Sequence, residues 1–316
     1  MIGKADWFVV VGMLGAVAVF AAAEPGWRLN VTGELRTFEY AADGTGEREV
    51  ARAEKPAGPK DSQRWERSPD RTRIVFVRYE ERGGGRDDEI FVADADGANE
   101  RRLTDNTAED QYATWSPDGK RIAFVRYQRG TVQRVWVMDA DGQNAAPLGG
   151  GAEADRESHM PKFGPDGRLA YLAPVGPLGK GRHSDLMVGD GKTPARALAR
   201  TYVSDFAWSP DGKWIVYGKI GSLVFHELAS GKEREVSFAG LDERARSHAA
   251  AGFVWRPDSG AVACRVHFLG GRQAGGPKMF GDDELFVFPK DEGPKPTWFV
   301  PREKPERWEW AREHQK

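Results

Sequence analysis

Residues 115–127 read WSPDGKRIAFVRY. Pro117 presets φ, Asp118 accepts a hydrogen bond from a turn N–H, and Gly119 tolerates positive φ, so the first five residues reverse the chain. The isoleucine, phenylalanine, valine and tyrosine that follow favour a strand. Working outward, four more segments carry the same signal: RSPDR (67–71), FGPDG (163–167), WSPDG (208–212) and WRPDS (255–259). Their prolines, Pro69, Pro117, Pro165, Pro210 and Pro257, are spaced by 48, 48, 45 and 47 residues. Spacing of this kind marks a tandem repeat.

Each turn leads into a β-rich run: RIVFVRY (73–79), RIAFVRY (121–127), RLAYLAP (168–174), WIVYGKI (214–220) and AVACRVH (261–267). A further apolar run follows and ends in another turn. EIFVADADG (89–97) and RVWVMDADG (134–142) nearly superimpose, while DLMVGDG (185–191), SLVFHELASG (222–231) and ELFVFPKDEG (284–293) are looser copies. Asp-Gly reverses the chain between a third and a fourth strand. Each unit is therefore a four-stranded antiparallel meander, apolar on both faces and unstable alone. Packing copies face to face buries those faces, and closing the ring protects the edges.

The expected fold is all-β, a β-propeller of four-stranded antiparallel blades. Dividing the chain after Ala23 by a unit of about 47 residues gives about six blades. Five are plain. The sixth is expected to be shared between the termini: residues 34–53 turn as a third-and-fourth-strand hairpin at Asp43-Gly44, and TWFVP (297–301) with ERWEWA (306–311) supply its inner strands. A five-bladed ring with frayed tails is the alternative. Residues 54–66 read as a polar, proline-containing linker.

The first 23 residues read as an address. The apolar run from Trp7 to Ala23 follows Lys4, ends in Ala21-Ala22-Ala23, and is stopped by Pro25. That is the layout of a secretory signal peptide, with residues 24–316 as a single propeller domain. A retained anchor is the alternative. No other stretch is long and apolar enough to span a membrane, so no span is expected after cleavage. Lys and Arg number 46 against 48 Asp and Glu, a formal charge of −2, which excludes a strongly basic nucleic-acid surface. The single cysteine, Cys264, excludes an internal disulfide framework and any cysteine-based zinc site.

These strings resemble the TolB-type, WD-repeat-like β-propeller repeat over residues 67–300. The resemblance implies four-stranded blades around a central channel, a bacterial envelope location (periplasmic or secreted), and binding of proteins or other ligands. Full TolB proteins carry an α/β domain before the propeller; little mature chain precedes Arg67, so that domain is expected to be missing. Similar propellers front prolyl-oligopeptidase-type peptidases, whose hydrolase domain carries a Gly-x-Ser-x-Gly elbow. The string does not occur here.

Asp94-Ala-Asp96-Gly97 and Asp139-Ala-Asp141-Gly142 fail as calcium loops, because Gly97 at position 6 puts Val92 at position 1 and Leu103 at position 12. Asp70, Asp118, Asp166, Asp211 and Asp258 recur once per unit and read as turn caps. The residues just before each first strand differ between units and are expected at the channel mouth. They are Asp110, Gln111 and Tyr112; Glu157, Ser158 and His159; Tyr202, Ser204 and Asp205; and Ser247 and His248. Asp110, Gln111, Tyr112, His159, Asp205 and His248 are taken as the candidate ligand- or partner-binding set. No catalytic residue, metal or cofactor is assigned. The expected function is a non-enzymatic binding module or scaffold for a protein or envelope polymer. The alternative, resembling oligogalacturonate lyases, is a metal-assisted carbohydrate-active enzyme using His159, Gln111 and His248.

Overall fold

The computed structural model describes residues 27–32, 36–41, 45–52, 62–82, 85–128, 130–149, 157–175, 183–190, 195–240, 248–268, 285–291, 296–299 and 307–312. The expected leader, residues 1–23, the Asp43-Gly44 turn and Ser247 lie outside them. The described strands form six four-stranded antiparallel sheets. Among the described residues there is no α-helix, only a 3-10 turn at Phe238–Gly240.

Five sheets follow the repeat in chain order. Sheet I holds β4 (Ser62–Arg67), β5 (Arg73–Arg82), β6 (Gly85–Asp94) and β7 (Arg101–Arg102). Sheet II holds β8 (Glu109–Trp115), β9 (Arg121–Tyr127), β10 (Arg134–Asp139) and β11 (Ala146–Pro147). Sheet III holds β12 (His159–Phe163), β13 (Leu169–Val175), β14 (His183–Gly189) and β15 (Arg196–Ala199). Sheet IV holds β16 (Phe206–Trp208), β17 (Trp214–Lys219), β18 (Ser222–Glu227) and β19 (Glu233–Ser237). Sheet V holds β20 (His248–Trp255), β21 (Ala261–Phe268), β22 (Leu285–Pro289) and β23 (Thr297–Phe299).

The sixth sheet runs β24 (Arg307–Arg312), β1 (Trp27–Thr32), β2 (Arg36–Ala41), β3 (Arg48–Arg52). Arg28 stands opposite Ala311 and Asn30 opposite Glu309, so the two ends of the described chain meet in one sheet. Two expectations are corrected here. Thr297–Phe299 is the outer strand of sheet V, paired to β22, so the tail gives the shared sheet one strand rather than two; Trp27–Thr32 supplies the other. Residues 62–66 are not linker but part of β4, whose pairing to β5 gives sheet I its innermost strand.

The turn chemistry is repeated in atomic detail. Ser116 Oγ accepts from Arg121 N at 2.9 Å and donates to Asp118 Oδ1 at 2.6 Å, while Lys120 N donates to Asp118 Oδ1 at 3.1 Å. Ser209, Asp211, Lys213 and Trp214 reproduce that set. Gly119 takes φ +67°; in sheet I Arg71 occupies the same place at φ +62°, a conformation unfavourable for a side chain.

The motif aromatic also ties neighbouring sheets. Trp115 Nε1 donates to Glu66 O at 3.3 Å, Trp208 Nε1 to Lys162 O at 3.0 Å, and Trp255 Nε1 to Ala207 O at 3.1 Å. The arginine at the start of the previous sheet's second strand, or one residue ahead of it for Arg168, lies over the ring: Arg73 on Trp115 at 4.7 Å, Arg121 on Phe163 at 5.4 Å, Arg168 on Trp208 at 5.3 Å. Between the sheets lie closely packed apolar clusters, such as Val216, Leu223, Phe225, Val262, Phe286 and Phe288 between sheets IV and V. Each large side chain fully buried there contributes roughly 1.5–3 kcal/mol. On the closing side, β24 lies against β20, and the Arg256 guanidinium sits 5.9 Å from the Trp27 ring centroid.

Candidate functional site

In four of the six sheets the pairing of the first strand with the second carries an irregularity. Its register shifts between Ser62 and Arg64 in β4, Gln111 and Thr114 in β8, His159 and Lys162 in β12, and Ala251 and Val254 in β20. Tyr112, Met160 and Gly252 sit in these bulges at φ +57°, +53° and +70°. Each precedes its motif aromatic by three residues. Left-handed backbone costs roughly 1–2 kcal/mol at Tyr112 and Met160, and bulges of this kind re-aim side chains. In sheet IV the matching residue is Asp205, just ahead of β16.

A chain of polar contacts runs along these first strands. Glu66 Oε1 accepts from Thr114 Oγ1 and from Trp115 N, both at 3.1 Å. Lys162 Nζ donates to Asp205 Oδ1 at 2.7 Å and to Phe206 O at 2.6 Å. Asp205 Oδ1 also accepts from Phe206 N at 2.8 Å, and its Oδ2 accepts from Gly252 N at 2.7 Å. Asp205 therefore ties sheets III, IV and V together. Glu66 has exposed surface, yet burial raises its carboxyl above the ordinary range, against the lowering by Trp115 N–H, Thr114 and Lys162.

Asp110, Gln111, Tyr112, His159 and His248 lie within first strands rather than ahead of them, because pairing continues past the bulge, as at Asp110 opposite Arg126. Asp110 is fully buried. Its carboxylate takes Arg126 Nε at 2.8 Å and Nη2 at 2.7 Å, and Asn106 Nδ2 at 2.9 Å. Arg126 stacks 4.4 Å from the Trp136 ring centroid. Gln111 donates to Asp88. Beside them Glu89 is held by Thr104 Oγ1 and by Asn106 N; burial raises its carboxyl above the usual range. Asp110 and Gln111 thus both reach polar partners at the seam between sheets I and II, Asp110 through Asn106 to Glu89 and Gln111 to Asp88. Asp205 belongs to the separate group formed with Lys162 and Gly252. His159 and His248 open β12 and β20, with His248 buried and its carbonyl accepting from Gly221 N at 2.6 Å. Ser158 Oγ accepts from Val135 N at 2.9 Å, and Ser204 Oγ donates to Ala250 O at 2.7 Å. Among the described residues no three His, Cys, Asp or Glu side chains gather around a point where a metal would sit.

Glu66 and Lys162 were not singled out from the sequence. The signal was present: the position just before the motif aromatic reads Glu66, Thr114, Lys162, Ala207 and Val254, acidic, hydroxylic, basic and then twice apolar, while its neighbour stays mostly aromatic. The Asp-Gly turns at the other end of the blades are occupied with themselves. Asn99 Nδ2 donates to Asp94 Oδ2 and Asn144 Nδ2 to Asp139 Oδ2, each at 2.6 Å.

A family model described as the TolB beta propeller domain matches residues 45–223, more than half of the chain. Among curated proteins, an uncharacterized peptidase, YuxL, of Bacillus subtilis (strain 168) is 24% identical over 172 residues, covering 54% of this chain and 25% of that protein. The Tol-Pal system protein TolB of Thioalkalivibrio sulfidiphilus is 35% identical over 71 residues, covering 22% of this chain and 16% of that one. The chain thus spans a quarter or less of these relatives' own length. Among solved structures, the β-propeller domain of the Trilobed protease from Pyrococcus furiosus aligns with a TM-score of 0.51 at 14% identity, covering 82% of this chain and 73% of that one. That similarity is one of fold.

Proposed function

The chain belongs to the TolB β-propeller domain family, and from that membership we propose that it is an exported, non-enzymatic module of the bacterial envelope that binds a protein or another ligand. Residues 1–23 are its cleaved leader, and residues 24–316 form one propeller domain. The partner sits on the face carrying the connections into the first strands, around Asp110, Gln111, Tyr112, His159, Asp205 and His248. The observation that carries this reading is the bulged, polar course of the first strands, whose residues differ from unit to unit while the Pro-Asp turn that follows recurs in five units. Sparsely populated backbone conformations held by a rigid scaffold accumulate at sites of binding. The absence of a Gly-x-Ser-x-Gly string favours binding over hydrolysis.

The test is photo-cross-linking in intact cells. A benzoylphenylalanine at Tyr112 or at His159 is expected to give a discrete cross-linked species identifiable by mass spectrometry. The same label at Asp96, on the opposite edge of the blades, should give none. Equal cross-linking from both edges, or none from either, would contradict the assignment.

A further inference from the structure

The connection from β7 to β8, residues 103–108, is held by one side chain. Glu89, wholly buried on β6, accepts from Asn106 N at 2.8 Å on Oε1 and from the Thr104 hydroxyl on Oε2. Thr104 Oγ1 in turn accepts from Ile90 N at 2.9 Å. Asn106 passes the hold onward. Its Oδ1 accepts from Ala108 N at 2.7 Å, and its Nδ2 donates to Asp110 Oδ2 at 2.9 Å. Glu89 therefore fixes the chain that enters β8, on which Asp110, Gln111 and Tyr112 follow.

Among the described residues no lysine or arginine pairs with Glu89. Arg78 stands opposite it on β5, yet gives both Nη atoms to Glu100, the second at 2.6 Å. Arg102 on β7 is taken by Glu80 and by Asp105 at 3.1 Å, and Arg126 on β9 by Asp110. The remaining described charges around Glu89 are acids: Asp87 and Asp88 on its own strand, Asp105 in the connection, and Asp110 on β8. Burial first, then the charges of Asp110 and Asp87, push the Glu89 carboxyl above the ordinary 4.5, against the lowering by Thr104 and Asn106 N–H.

An ionised carboxylate only accepts hydrogen bonds, whereas a protonated one donates from one oxygen. A proton on Oε1 would oppose the Asn106 N–H, so it goes to Oε2. The Thr104 hydroxyl must then turn its own proton away. Asn106 N keeps a neutral acceptor in place of a charge-assisted one, which is roughly twice as strong.

We propose that Glu89 is a proton-operated clasp: ionised, it holds residues 103–108 and positions the start of β8; protonated, it lets that segment relax, so that the edge carrying Asp110, Gln111 and Tyr112 responds to mild acid. The fold as a whole gains when a buried charge disappears, while this one segment loses its tightest hold. The consequence for a partner rests on the reading of that edge as a binding site. The clasp itself is measured without a partner, so missing cross-links from Tyr112 and a silent clasp are separate results.

The chain has four asparagines, Asn30, Asn99, Asn106 and Asn144, so 15N-asparagine labelling of the full chain gives a sparse spectrum. As pH is lowered, the Asn106 backbone amide proton is expected to move upfield with a midpoint above 4.5, and the Asn106 side-chain amide to move with the same midpoint. Over that range deuterium uptake by the 103–112 segment, corrected for the intrinsic rate, should rise about threefold, the change expected when a charge-assisted bond becomes a neutral one. Glu89→Gln keeps an oxygen for Asn106 N and mimics the protonated form. In it both pH responses should vanish, with uptake at the raised level throughout. An Asn106 backbone resonance that holds still above pH 4.5, or titrates equally in the variant, would overturn the proposal, as would uptake that does not change. Should the variant not fold, the unaltered chain decides. The backbone amide answers to Glu89 and the side-chain amide to Asp110, so movement of the side-chain amide alone would assign the proton to Asp110 and overturn the clasp.

Discussion

Restoring the repeat motif at its one glycine-substituted turn should destabilise the protein. Where the motif has serine at 116 and 209, residue 164 is glycine. A serine there would regain the turn bonds seen at Ser116, worth about 1 kcal/mol. Its Cβ, however, would stand 2.7 Å from Cδ2 and 2.8 Å from Cε3 of Trp208. That ring has no room to withdraw, being held by its 3.0 Å bond to Lys162 O and by Arg168 over its face. Overpacking of a fixed aromatic costs about 1–3 kcal/mol, and losing the indole bond about 1 kcal/mol more. The net for Gly164→Ser is about 1–3 kcal/mol of lost stability. Urea unfolding followed by far-ultraviolet circular dichroism should show a lower midpoint with an unchanged slope. A midpoint equal to or above that of the unaltered protein would refute the reasoning, since it would mean that Trp208 does not lie flat against the turn of the preceding sheet.

Two other outcomes follow from the same contacts. Trp208→Phe keeps the ring but removes the donor to Lys162 O, and should cost about 1 kcal/mol in the same urea assay; no loss would show that the indole does not tie sheet III to sheet IV. Stability should also vary with pH in two opposed ways. The Ser68 hydroxyl, then the Thr72 N–H, hold Asp70 below the ordinary 3.8, at about 2, and the Ser116 hydroxyl with Lys120 N–H lowers Asp118. A carboxyl depressed by folding stabilises above its unfolded value, and that contribution is lost as pH falls through the folded one. Burial raises Glu66 and Glu89, whose ionised forms cost stability that is recovered as pH falls through their raised values. The urea midpoint should therefore rise modestly on mild acidification and then fall between pH 3.8 and about 2. A fall beginning at neutral pH would contradict the assignment for the glutamates.

The repeat was legible because one unit needs the same local chemistry each time. Pro, Asp and Gly fix the turn, and alternating β-branched and aromatic residues fill the space between sheets, so β5, β9, β13, β17 and β21 fall where the sequence puts them. The shared sheet was harder to read. WRLNVT carries no turn signature ahead of it, and TWF is equally suited to an inner or an outer strand; pairing to Leu285–Val287, a long-range choice, decides the matter. SQRWER holds one apolar residue, Trp65, and so lacks the alternation that marks a strand; its pairing to β5 decides the matter. Glu66 and Lys162 escaped notice because their roles depend on partners in other sheets: Thr114 is 48 residues from Glu66, and Asp205 is 43 from Lys162. Asp110 was found as a variable polar residue, but its bidentate hold on Arg126 needs the cross-strand register to be seen.

A channel exists only if the ring is closed, and closure rests on the pairing of β24 with β1. Asn30 and Glu309 stand directly opposite each other in that pair. Residues so placed have Cα atoms about 4.5–5.5 Å apart, within reach of a disulfide, and the native Cys264 is buried away from exchange. In the Asn30→Cys, Glu309→Cys variant, mild oxidation of the folded protein should join the two termini quantitatively, read as a linked peptide pair by mass spectrometry. Two free thiols persisting in folded, oxidised protein would mean that the ends do not meet.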